Sequence, residues 1–188
     1  MVHGDITSDY DTTRDNVLIK IGDKVEEIRS RYGYRLSDFV SIIHIADTDG
    51  VFTKDCIKKS EVKNIQYYED HIEAVNILEV EKRNLHKSEI LSKLYSTGKV
   101  KDINYRIYFN SCNLEHVLYD KLKDFTDDEK EILSDDFAEK YEGEVEAFIE
   151  FISDSNLAVM GTYKNTWKFI EKDMNSLHRH SNMHLIFK

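Results

Sequence analysis

The sequence predicts an α/β fold with a helix-rich C-terminal part, and three observations carry that prediction. A buried-looking apolar run, Ile42-Ile43-His44-Ile45-Ala46, ends abruptly at Asp47-Thr48-Asp49-Gly50. Helical periodicity stands on both sides of that run. Beyond residue 113 helical patterns dominate, so strand–helix alternation at the front gives way to helices at the rear.

Val17, Ile21, Val25 and Ile28 recur at spacings of three and four, which predicts a helix over Thr13 to Arg31. Asp38 to Ala46 reads as the buried strand. Ile65 to Tyr68 forms a short strand beside a polar loop, and Val75 to Tyr95 a charged helix stopped by Gly98. Asn104 to Phe109 alternates apolar with polar residues, as a half-buried strand does. Helices follow over Leu114–Leu122, Asp127–Tyr141 (opened by Thr126 and acids that suit its dipole), Glu144–Ser153 and Asn165–Leu177. Met183–Phe187 reads as a last strand. Residues 1–120 then make an α/β core, and 121–188 a helical extension packed on the same domain.

At 188 residues the chain can bury a substantial core. It is 40% hydrophobic and 33% charged, and no apolar run approaches the roughly 20 residues a bilayer span needs. Two distant cysteines, Cys56 and Cys112, suit a reducing cytoplasm better than a disulfide framework. A net charge of −10 disfavours a broad nucleic-acid-binding surface but leaves room for a local basic groove or for a protein partner. The acidic run from Asp124 to Asp136 reads as a solvated helix or as a mimic of nucleic-acid charge, with Lys121, Lys123, Lys130 and Lys140 interrupting it.

Asp47 and Asp49 lie on one side if extended geometry persists through them. They stand at the carboxyl end of a strand, where open α/β sheets bind ligands. Two hard oxygen donors there either hold Mg²⁺ or Mn²⁺ or simply close the strand in an Asx-type turn. Arg83 and Lys87 lie four apart on a helix, placed to hold a phosphate, although Glu79–Arg83 also suits a solvated ion pair. His178-Arg179-His180, with His184 beyond, offers a basic patch or a zinc site without a completed ligand set. His44 reads as a buried, hydrogen-bonded histidine.

Ile43 to Gly50 resembles the acidic pair that ends a central strand in the TOPRIM (topoisomerase–primase) fold. Within it the chain is similar to the RloB-like and OLD-type nucleases linked to phage defence. Asn110-Ser111-Cys112-Asn113-Leu114-Glu115 loosely resembles the asparagine-proline-cysteine-phenylalanine-glutamate segment of the RloB-like family. The resemblance covers about residues 1 to 120. It implies a mostly parallel sheet flanked by helices, and metal-dependent phosphodiester cleavage with Asp47 and Asp49 as catalytic metal ligands. Glu115 would be a further ligand or general base, and Arg83, Lys87 and Arg179 would bind substrate. The family's first strand ends in a glutamate, whereas His3-Gly4-Asp5 stands at the corresponding place here. Either the chain starts inside the domain or Asp5 or Asp9 substitutes. A chain lacking that glutamate would be inactive, which leaves a non-catalytic interaction protein on the same scaffold as the alternative.

Overall fold

In the computed structural model, which describes residues 4–53, 56–123 and 125–188, the chain is a mixed α/β protein with two small, partly parallel sheets. The first helix, α1 (Val17–Tyr32), buries Val17, Ile21 and Val25 and stops at Gly33, whose φ of 72° lets its N–H reach the Arg29 carbonyl. It starts later than the periodicity predicts, because the Asn16 side chain accepts the Thr13 N–H and holds those residues in a turn.

A short 3₁₀ turn over Leu36–Asp38 leads into β1 (Ser41–Asp47). Next come β2 (Ile57–Lys59), β3 (Gln66–Tyr67) and β4 (Ile72–Ala74), which form a small sheet ordered β2-β4-β3, with β2 parallel to β4 and β3 antiparallel. Helix α2 (Ile77–Tyr95) is capped by Asn76, whose side chain accepts the Glu79 N–H. It returns the chain through β5 (Lys99–Val100) to β6 (Ile103–Asn110).

β6 is the centre of the main sheet, parallel to β1 on one side and antiparallel to β5 on the other. The register sets His44 beside Ile107, Ala46 beside Phe109 and Asp47 beside Asn110. Because side chains alternate, Ile42, Ala46, Tyr105, Ile107 and Phe109 share one face. That face packs against Val17 and Ile21 of α1, Ile90, Leu91 and Leu94 of α2, and Trp167 and Ile170 further along the chain. The other face is covered over Tyr108, by Ile152, Met183, Phe148 and Phe151. Ile43 and Ile45 on that face remain about half exposed, at 52% and 45%.

Beyond α3 (Leu114–Tyr119), α4 (Asp127–Tyr141) opens with a Thr126–Glu129 capping box. It pairs with α5 (Val145–Ile152) through the rings of Phe137, Tyr141, Phe148 and Phe151. The last helix, α6 (Tyr163–Ile170), brings Trp167 into the core, where it stacks on Tyr95 and meets Phe109 edge-on.

Two expected elements differ. The helix predicted to run to Leu177 ends at Ile170. The Asn175 side chain satisfies the Phe169 carbonyl, and Asp173 takes a left-handed φ of 50°. The strand predicted over Met183–Phe187 is a 3₁₀ helix. Asn182 spends its side-chain oxygen on the Phe109 N–H and its carbonyl on the Leu185 N–H, so the chain curls instead of extending. Strands β2, β4 and β5, at two or three residues each, are too short to leave a period in the sequence.

Candidate functional site

Parallel pairing with β6 delivers Asp47 to the carboxyl end of β1, and there the chain turns sharply. Thr48 is fully buried, with its N–H on the Asn110 carbonyl and its hydroxyl accepting the Cys112 N–H. Asp49 and Gly50 both take left-handed backbone, at φ 48° and 64°. At Gly50 a side chain has no room as well, since a Cβ would lie 2.6 Å from Leu177 Cδ2 and 3.2 Å from Ile72 Cδ1. Extended geometry therefore stops at Asp47. The turn swings Asp49 toward α2 instead of leaving it stacked beside Asp47.

The Asp47 carboxyl is pushed up to about 7. Burial is the main cause and the neighbouring Asp49 adds to it, as does Glu115; Lys87 and the Asn110 side-chain amide pull the other way without prevailing. Glu115 sits half-buried in the first turn of α3, whose N-cap Asn113 accepts the His116 N–H. Asp49 and Glu115 thus both fall within electrostatic reach of Asp47.

Lys87 is 2% exposed, and its ammonium lies 2.5 Å from Asp49 Oδ2, 2.7 Å from Asp5 Oδ2 and 2.8 Å from Ser8 Oγ. Burial works against the charged lysine, but Asp49 and Asp5 more than offset it, so its pKa is raised. Asp5 is lowered to about 2: burial opposes ionisation, and the Lys87 charge and hydrogen bond win. Asp5 thereby enters the site, while Asp9 is exposed and His3 lies outside the described residues.

Arg83 also faces inward. Its guanidinium donates to the Asp49 carbonyl (3.0 Å), to Asn84 Oδ1 (2.7 Å) and to the Tyr67 hydroxyl (3.1 Å), where the solvated-face reading expected Glu79. The Tyr67 phenol is pushed up to about 12, chiefly by burial. Arg179 lies apart from this pair. Its Nε donates to the Val117 carbonyl and Nη1 stands 3.9 Å from Asp120, so it closes the end of α3 remote from Glu115.

His44 Nδ1 lies 2.8 Å from the Tyr105 hydroxyl, and burial lowers its pKa to about 4. The His178 and His180 rings are 6.3 Å apart, and His184 is in the closing 3₁₀ turn. Among the described residues no group of three or more His, Cys, Asp or Glu side chains is arranged to hold a metal ion. That geometry gives zinc no closed ligand set. Mg²⁺ asks for less, since it commonly binds through one or two carboxylates with waters and substrate oxygens completing the shell. The Asp47–Asp49 pair meets that requirement in donor chemistry, with Glu115 as a further acid felt by Asp47.

Asp5, Ser8, Asn84 and Tyr67 complete the site, and of these only Asp5 carried any sequence signal. No family model matches the chain, and neither a curated protein nor a solved structure is similar enough to count as a match.

Proposed function

We propose that this chain is a TOPRIM-like protein, akin to the RloB-like and OLD-type nucleases, whose acidic edge serves metal-dependent phosphodiester cleavage. The observation that carries the reading is Asp47, a half-buried carboxyl at the carboxyl end of a parallel strand, strained electrostatically by Asp49 and Glu115. Asp47 and Asp49 would hold Mg²⁺ or Mn²⁺, with Glu115 as a further ligand or base. Such an ion would activate water and offset charge on the scissile phosphate. Arg83 holds the Asp49 backbone in place, which fixes the direction of its carboxylate. The net charge of −10 confines any nucleic-acid contact to a local groove.

Calorimetric titration of Mn²⁺ into the purified chain, beside an Asp47→Asn/Asp49→Asn variant, tests this. Binding in the wild type that disappears in the variant, followed by cleavage in a nuclease screen, is the expected result. Silence in both would sink the metal reading.

A second reading, a non-catalytic interaction protein on the same scaffold, is favoured by a different observation. Ile43 and Ile45 stand half exposed on one face of β1, at 52% and 45%, apolar surface of the sort that partners cover. On this reading, replacing both aspartates leaves biological activity intact while Ile43→Lys abolishes it. Among the described residues no helix is long and apolar enough to cross a membrane.

A further inference from the structure

We infer that Lys87 is the resident cation of the acidic edge, a tethered ammonium that a divalent ion must displace from Asp49, and that the Asp5–Ser8 turn holds the lysine when it lets go. The inference rests on the metal reading above and specifies how that site is regulated.

Lysine is rarely buried, because its ammonium is strongly hydrated. Lys87 is buried, and its three N–H donors meet three acceptors: Asp49 Oδ2, Asp5 Oδ2 and Ser8 Oγ. No donor is left over for a phosphate, so the lysine acts on the acids and not on a substrate. It lies where a cation bound to Asp49 would lie. A divalent ion and an ammonium sharing one carboxylate oxygen repel strongly at the effective dielectric of a protein interior. The two are therefore alternatives.

What makes the exchange feasible is the second anchor. The Asp5–Ser8 turn is built independently of Asp49: Asp5 Oδ1 accepts the Thr7 N–H at 2.9 Å and the Thr7 hydroxyl at 2.5 Å, and Oδ2 accepts the Ser8 hydroxyl at 2.6 Å. Thr7 is fully buried, and Ile6 packs on the main core. Lys87 can then release Asp49 and keep Asp5 and Ser8, so no unpaired charge is left in the interior. A lysine with one carboxylate partner would lack that route. The device keeps the edge charge-balanced at low divalent concentration and raises the concentration at which it loads.

The test is Mg²⁺ calorimetry on the wild type, Lys87→Met, Lys87→Met/Asp49→Asn, Asp5→Asn, Lys87→Met/Asp5→Asn and Asp47→Asn/Asp49→Asn, with thermal melts confirming folding. Lys87→Met is expected to bind Mg²⁺ about tenfold more tightly than the wild type, because a competing charge has gone. Adding Asp49→Asn should remove that gain. Asp5→Asn should weaken binding when Lys87 is present and change nothing in the Lys87→Met background, since Asp5 acts through the lysine. Equal weakening in both backgrounds would make Asp5 a ligand and overturn its role as holder.

In wild-type protein labelled with ¹⁵N-lysine, the Lys87 ammonium resonance should shift as Mg²⁺ is added and saturate with the calorimetric curve. This readout decides the matter if Lys87→Met fails to fold, and an unmoved resonance overturns the proposal. Binding that the double aspartate variant abolishes, but Lys87→Met leaves unchanged, would discard the resident cation and keep the metal site. No binding in any variant would discard both.

Discussion

The β1–β6 core and the α4–α5 hairpin belong to one chain but are held together in different ways. The core buries Trp167, Phe109, Ile107, Ile90, Leu91 and Leu94 almost completely, and it surrounds a buried lysine paired with two carboxylates. Helix α4 has no fully buried side chain among those described; its hold on α5 is a cluster of half-covered rings centred on Phe137. Close packing fixes side-chain positions to within fractions of an ångström. A surface seam does not. The difference explains why the acids with pronounced pKa shifts, Asp5 and Asp47, lie in the first region, while the many acids of α4 remain an exposed face.

The largest effect that would sharpen the contrast is at Trp167. Trp167→Ala should destabilise the protein by about 3–5 kcal/mol in denaturant unfolding, through lost burial and the cavity left between Tyr95 and Phe109. Next comes Asp47→Asn, which should stabilise the protein at pH 8. With a folded pKa near 7 against 3.8 for the ordinary carboxyl, the protonated group favours the fold below pH 3.8, and that contribution is lost as pH rises through 7. The gain from the neutral isostere is about 2–4 kcal/mol as an order of magnitude.

Histidines work in the opposite sense. Burial lowers His44, His116 and His180 to about 4, so the unfolded chain takes up protons more readily between pH 6.5 and 4. Stability should therefore fall as pH drops through that window. The difference between wild type and Asp47→Asn at each pH isolates the aspartate from this background.

Phe137→Ala should cost about 1–2 kcal/mol and leave Trp167 fluorescence unchanged. A shift in that fluorescence would mean the two regions are coupled after all. Thr126→Ala, which removes the capping box, should cost about 1 kcal/mol and appear as faster amide exchange in the first turn of α4 alone.

Elements with a long apolar signature were legible in advance. β1, β6 and α2 fall close to where periodicity places them, because each has enough residues to show a repeat. The i,i+4 spacing of Arg83 and Lys87 also pointed correctly to one helix face. Which way that face turned was not legible, since Lys87 and Asp5 are separated by 82 positions and only the folded core brings them together. The expectation that Asp47 and Asp49 share a strand face failed for a local reason, the left-handed backbone at Asp49 and Gly50. Long-range contacts and backbone handedness leave little trace in a single sequence.

The C-terminal segment has a further consequence. Ser111 donates to the His180 carbonyl, Cys112 to the Ser176 carbonyl, and the Phe109 N–H to the Asn182 side chain, while the Thr53 and Ser176 hydroxyls meet at 3.3 Å. These bonds brace both loops that carry the acidic edge, and their partners lie well after β1 and β6 in the chain. A nascent chain paused after α5 would hold β1 and β6 without the brace that fixes their carboxyl ends. The order of synthesis thus times the site, which is completed only once residues 176–182 have been made.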